Sequence, residues 1–253
     1  MKHIISFSGG LGSFFAAMRV IKSHGADQCI LLFTDTKSED DDLYRFLNDA
    51  SDYLGVGVTT IADGRNLWQV FRDVRYMGNS RVDPCSRVLK RELARKWMVE
   101  NFDANDAILY MGIGWDEAHR MKNIIQNWSP YTVMAPLTEP PYLSRPQMME
   151  KLKDCGINPP RLYDLGFSHN NCGGFCVKAG QGQFRKLLQQ FPERYAYHET
   201  EQEKLFKEIK PHGFLRVSVN KKTKYLTLKE FRKHVEQGEQ IDMFDLGGCG
   251  CFV

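Results

Sequence analysis

The chain has 253 residues, 42% of them hydrophobic and 26% charged, a balance that excludes disordered and fibrous classes and is enough to bury a substantial core. Lys and Arg number 34 against 31 Asp and Glu, so the net charge of +3 is too small to argue nucleic-acid binding from bulk electrostatics, and only a local basic patch could serve that role. No run reaches the ~20 apolar residues of a membrane span and the N-terminus lacks a signal-peptide layout, so the expectation is a cytoplasmic protein with no membrane partner.

Residues 3–7 read as a short buried strand, and Phe14, Ala17, Met18 and Ile21 then recur at helical spacing, which makes strand, glycine loop, helix. Residues 29–33 are a second apolar run. Leu43, Phe46, Leu47, Ala50 and Leu54 follow on one helix face, with further strands expected at 58–62 and 107–113. This alternation predicts an α/β fold, a Rossmann-like doubly wound parallel sheet, with ligands at the carboxyl ends of its strands. Near Pro136 the character changes to Pro-rich loops and a glycine-cysteine segment, so the expected division is a nucleotide-binding α/β domain at 1–136 and a smaller cysteine-containing region at 137–253. Within that region the sequence predicts a helical stretch over 182–210, a hairpin from 214–219 and 224–227, and a last helix opened by a Thr227/Glu230 capping box. The glycine-rich tail from Gly247 onward reads as mobile.

Ser8-Gly9-Gly10-Leu11-Gly12-Ser13 has what a phosphate cradle needs: glycines that let backbone N–H groups face one concavity, and a helix N-terminus behind them. The competing reading is a tight strand-to-helix turn without a ligand. No Lys follows the last glycine, so the loop is not a Walker A loop. It resembles the S-G-G-x-D-S signature of the PP-loop adenine nucleotide alpha hydrolases, with Gly12 where most members carry Asp. Thr34-Asp35-Thr36 ends the second strand where the phosphoadenosine phosphosulfate reductase branch of that superfamily has an Asp-Thr pair, although Asp35 is equally readable as a turn residue. The segment from Gly112 to Arg120 is similar to the G-[IV]-R-x-x-E-S-x-R element of the same branch; Gly112, Glu117 and Arg120 match and Gly114 replaces the first Arg. An Arg past a strand end can clamp phosphate or sulfate through two parallel hydrogen bonds, whereas a solvated Glu117–Arg120 pair is the alternative.

Seven cysteines, an odd number, argue against a disulfide framework and for metal, cluster or redox chemistry among those that group. Cys85 precedes a helix and Cys172-Gly173-Gly174-Phe175-Cys176 sits in a loop, so two nearby thiolates and one distant one can converge. The resemblance supports this convergence, since the family's cluster-bearing members place a Cys pair after a P-L-Y-D-x-G-[FY] stretch, and Pro160 to Phe167 stands just before Cys172 here. It implies an iron–sulfur cluster, 4Fe-4S, on Cys85, Cys172 and Cys176, the fourth ligand being Cys249, Cys251 or a non-protein group, with zinc as the alternative metal. Cys29 and Cys155 read as core or incidental residues.

Arg87, Arg91 and Arg95, with Lys90 beside them, make one cationic stripe while Leu89, Leu93 and Trp97 would face the core. That stripe is a solvated face or the site of an anionic or polynucleotide substrate. The resemblance thus implies an enzyme binding ATP or phosphoadenosine phosphosulfate for sulfur transfer or sulfonucleotide reduction, with Asp35, Arg120 and Cys249 in catalytic roles. Mg²⁺ is implied if ATP is the substrate, as are a nucleic-acid or other sulfur acceptor and a protein donor of electrons or sulfur. A non-catalytic nucleotide- or nucleic-acid-binding module with a structural metal site is the alternative.

Overall fold

The computed structural model describes residues 1–219 and 222–247. Its core alternates β1 (Lys2–Ser6), α1 (Leu11–His24), β2 (Cys29–Asp35), α2 (Asp41–Leu54), β3 (Val58–Ala62), α3 (Leu67–Asp73), the single turn α4 (Pro84–Ser86), α5 (Leu93–Asn101), β4 (Ala107–Tyr110), α6 (Met121–Trp128) and β5 (Thr132–Met134). The strands form one parallel sheet in the order β3-β2-β1-β4-β5. This is the Rossmann-like doubly wound arrangement expected from the alternation. Strand order reverses between β1 and β4, and in such sheets the crevice for a ligand opens beyond the strand ends at that point.

Hydrophobic period explains how the layers form. The face of α2 made by Leu43, Phe46, Leu47, Ala50 and Leu54 is buried with Phe14 and Ala17 of α1 against one side of the sheet, while Ala94, Met98, Ile124 and Trp128 cover the other. The chain continues through α7 (Arg145–Asp154), α8 (Arg161–Asp164), α9 (Gln181–Gln190), α10 (Pro192–Leu205), the antiparallel pair β6 (Leu215–Val219) and β7 (Lys222–Leu226), and α11 (Leu228–Glu236). The expected 182–210 helix is two helices, because Pro192 opens a new one at its first position, where its missing N–H costs nothing. The Thr227/Glu230 capping box is present. Among the described residues no helix is long and apolar enough to cross a membrane.

Packing crosses position 136 in both directions. A further core joins Leu67, Trp68, Phe71, Met77 and Leu89 to Phe175, Phe184, Tyr195 and Phe231, while Met148, Leu152 and Ile157 pack on the sheet with α1 and α2.

The helix expected after Cys85 departs from the regular period. Residues Arg87–Glu92 form a π-helical turn, whose extra residue per turn rotates the following helix. Leu89 is buried as expected, but beyond it Lys90, Ala94 and Met98 are the buried positions and Leu93 and Trp97 are only half-buried. The cationic stripe is dispersed by the same rotation: Arg91 pairs with Asp83, Arg95 donates to the Asn127 and Ser129 carbonyls, and Lys90 turns inward.

Candidate functional site

The loop after β1 and the loop after β4 meet at the switch point through two glycines. A Cβ on Gly12 would stand 2.4 Å from the Gly112 carbonyl oxygen, and one on Gly112 would stand 2.5 Å from the Ser13 nitrogen. Neither position has room for a side chain while the two loops are packed this closely. Ser13 Oγ donates to the Gly10 carbonyl at 2.8 Å, closing the loop onto the first turn of α1, whose leading N–H groups lack intrahelical partners.

Around this junction is a cavity of about 400 Å³, within the range of small-molecule sites. The structure brings Ser8, Gly10, Leu11, Gly12, Ser13, Gly112, Glu117 and Arg120 together in its wall. Arg120 and Glu117 bond to each other there. The wall also contains residues the sequence reasoning passed over as ligand contacts: Arg145, Tyr163, Ser168, Asn170 and Asn171. The Arg145 guanidinium lies 4.7 Å from the Tyr163 ring centroid and donates to the Phe167 carbonyl at 3.1 Å. Asn170 is 3% exposed; its Nδ2 donates to the Gly9 carbonyl at 3.2 Å, and its Oδ1 has no hydrogen-bond partner among the described residues.

A second, smaller cavity of about 20 Å³ lies past the end of β2, lined by Thr36, Asp83, Cys85, Lys90, Cys172, Cys176 and Lys178 among apolar neighbours. The three cysteines expected to converge share this wall, although they come from positions far apart in the chain. Among the described residues no group of three or more His, Cys, Asp or Glu is arranged to hold a metal ion. Cys29 is buried in β2, its thiol pKa raised by desolvation, and Cys155 caps α7; neither lines this cavity. Cys249 and Cys251 lie outside the described residues. The chain leads toward them from Gly247, which bridges to Ala179 and lines the 400 Å³ cavity. The described tail before that point is docked, with Asp245 accepting from the Gly182 nitrogen through its carbonyl at 2.8 Å.

The peptide from Ser168 to Cys176 is the common wall. Ser168 to Asn171 face the larger cavity, and Cys172 and Cys176 face the smaller one. Cys172 has φ +52°, in the left-handed region that a non-glycine residue rarely occupies, and Gly173 and Gly174 continue it. Polar side chains hold this turn from three sides. Glu39 Oε2 accepts from the Cys172 nitrogen at 2.6 Å, and Glu39 Oε1 is 3.5 Å from the buried Lys90 ammonium. Arg194 donates to the Gly173 carbonyl at 2.6 Å and to Asp40 at 2.9 Å. Gln183, fully buried, donates to the Gly174 carbonyl, accepts from Ser168 and sits beside His169. Burial alone would raise the Asp40 pKa, but the Arg161 and Arg194 guanidiniums outweigh it and hold the carboxyl below the usual carboxylate range.

Of the strand-end residues, Thr36 lines the cysteine cavity, while Thr34 and Asp35 line neither cavity. Asp35 is engaged locally: its oxygens accept from the Lys37 nitrogen and ammonium at 2.8 Å each and from the Tyr44 hydroxyl at 3.0 Å. Desolvation opposes its ionisation, yet these hydrogen bonds lower its pKa. The chain matches no protein-family model and no curated protein sequence.

Proposed function

We propose that this protein binds an adenine nucleotide in the cavity of the glycine loop and carries out sulfur transfer or sulfonucleotide reduction beside it, in the manner of the phosphoadenosine phosphosulfate reductase branch of the PP-loop superfamily. The observation that carries this reading is the shared wall: Asn171 lines the loop cavity and the next residue, Cys172, lines the cavity of the three cysteines. A nucleotide held by the loop would thus lie one peptide away from sulfur chemistry.

The backbone N–H groups at the start of α1 would take the phosphates, helped by the positive end of the helix. Arg120 and Arg145 supply charge at the same cavity, and Tyr163 orients Arg145. Cys85, Cys172 and Cys176 have the sulfur donors that an iron–sulfur cluster or zinc prefers, and they would hold it with Cys249, Cys251 or a non-protein group as the fourth ligand. A bound cluster would supply thiolate-ligated iron able to bind sulfur or pass electrons. Lys90 and Lys178 would offset thiolate charge at this wall were a metal bound, and Glu39 and Arg194 fix the turn that presents Cys172.

The test is iron, sulfide and zinc analysis of anaerobically purified protein, combined with two activity assays. Pyrophosphate release from ATP and Mg²⁺ in the presence of a sulfur acceptor supports transfer, and sulfite release from phosphoadenosine phosphosulfate supports reduction. A second reading, a nucleotide-binding module without catalysis, is favoured by Gly12, which leaves the loop without the acidic side chain of the PP-loop signature. It predicts ATP binding with neither product released and stoichiometric zinc.

A further inference from the structure

We infer that an unpaired polynucleotide strand binds this chain, its phosphodiester backbone lying on a cationic track that passes the cysteine cavity and ends at Gly247 beside the loop cavity. The inference names the class of sulfur acceptor for the reading given above, while strand binding itself does not depend on nucleotide binding.

Three cavities make the track, and shared residues join them. The first, about 880 Å³, carries Lys178 and Arg216; it shares Gly247 with the loop cavity and Lys178 with the cysteine cavity. The second, about 390 Å³, carries Arg81, Arg87 and Arg91 and shares Asp83 with the cysteine cavity. Asp83 links the two, 3.6 Å from the Lys178 ammonium and 3.1 Å from the Arg91 guanidinium. The third, also about 390 Å³, carries Arg75 and Lys210 and meets the second at Tyr76, which lines both.

Positive charge is concentrated on this face. Seven Lys and Arg stand in the three walls against three Asp, an excess of four on a chain whose net charge is +3. Asp83 is buried, and Asp242 and Asp245 accept from the Phe244 and Gly247 nitrogens of their own turn. Arg81, Lys210 and Arg216, by contrast, are exposed and form no ion pair among the described residues. The Arg81 turn is held locally: the Asn79 side chain accepts from the Arg81 and Val82 nitrogens at 2.8 and 2.9 Å and donates to the Tyr76 hydroxyl at 2.5 Å. Tyr76 stacks in turn on His212, with ring centroids 5.2 Å apart.

Five of the seven cations are Arg, whose planar fork matches phosphate oxygens. Cations strung along a path, rather than ringed around an apolar centre, fit a repeating backbone charge better than a folded acidic protein. Phe244, 94% exposed, lines the first cavity three residues before Gly247 and offers a ring on which an unpaired base can stack. A strand on the track would therefore present one nucleotide beside both cavities.

Anisotropy titrations of the full chain with labelled single strands of RNA and of DNA test the track, and the tighter of the two names the source of the strand. In an Arg81→Gln/Arg216→Gln variant, strand affinity should fall about tenfold and the slope of log affinity on log salt should flatten by about 1.4, with melting temperature and ATP binding unchanged. Lys151→Gln/Lys153→Gln, at exposed positions of α7, should change neither affinity nor slope. Phe244→Ala should weaken strand binding and leave binding of inorganic polyphosphate as it was. The inference is overturned if wild-type protein binds no strand, if the double Arg variant keeps affinity and slope, or if polyglutamate displaces the strand as well as unlabelled strand does. Equal binding of a duplex would overturn the unpaired-strand assignment. Wild-type protein that binds ATP but no strand leaves the nucleotide reading standing without the track, and one that binds strand but no ATP does the reverse.

Discussion

The two cavities that share the 168–176 wall are built in opposite ways. The loop cavity is shaped by backbone, with Gly12 against Gly112, a helix N-terminus and about 400 Å³ of space, so its form is set before any ligand arrives. The cysteine cavity, about 20 Å³, is shaped by side chains, with buried Lys90 and a left-handed Cys172 in its wall and Glu39 and Asp40 bracing the turn behind it. The first arrangement suits a diffusible anion that comes and goes. The second is closed, and the turn that presents Cys172 to it is held by a charge network rather than by backbone packing.

The thiols should separate the two cavities most strongly. Replacing Cys85, Cys172 or Cys176 singly with Ala should abolish bound iron or zinc by elemental analysis, while Cys29→Ala and Cys155→Ala should leave it unchanged. Full metal retention in all three variants would mean that the shared cavity holds no metal. At the glycine junction the expected effect is on stability. Gly12→Asp places a side chain into the Gly112 carbonyl, and overpacking of this kind should cost about 3 kcal/mol in denaturant titrations. A variant as stable as wild type would show that the two loops part easily and that the cavity is not pre-shaped.

Smaller effects separate the charge network from the sheet. Asp40→Asn weakens bonds to Arg161 and Arg194 at a fully buried position and should destabilise the protein by about 2 kcal/mol at neutral pH. Because the Asp40 pKa is lowered in the folded protein, its contribution is present above the ordinary carboxylate value of 3.8 and is lost as pH falls below it; the Asn variant should therefore lose less stability in that window. His198 acts at higher pH. Its ring stacks on Phe175, the residue before Cys176, and accepts from Trp68 Nε1 at 3.0 Å; desolvation, then the Arg194 charge, lowers its pKa to about 3. The unfolded chain takes up this proton near 6.5 and the folded chain does not, so stability should decline as pH falls from 6.5 toward 3. Denaturant titrations of His198→Gln should show a flatter decline, and an unchanged slope would place the titration elsewhere.

Sheet and loop were legible in the sequence because they rest on local signals: period-2 and period-3.6 apolar patterns, and glycines between strand and helix. The convergence of Cys85 with Cys172 and Cys176 was legible through grouping and resemblance. The charge network was not, because Glu39, Asp40, Lys90, Gln183 and Arg194 look like ordinary helix-surface residues until tertiary packing buries them. The acidic run 39–42 just past a strand end, and the polar quartet Ser168-His169-Asn170-Asn171 next to Cys172, are the signals that would have pointed there. The rotation of the helix after Cys85 was illegible for a different reason: a π-helical turn breaks the period on which face assignment depends.

Gly10 is the position at which nucleotide binding by the glycine loop beside the cysteine wall can be blocked alone. A Cβ there would stand 3.2 Å from the Tyr163 hydroxyl, inside the cavity and clear of the Gly12/Gly112 junction, so Gly10→Val should fill the phosphate site without unfolding the protein. Calorimetric titration with ATP should then give heat of binding for wild-type protein and none for a Gly10→Val variant whose melting temperature and metal content are unchanged. Equal ATP affinity in wild type and in that folded variant would contradict the account.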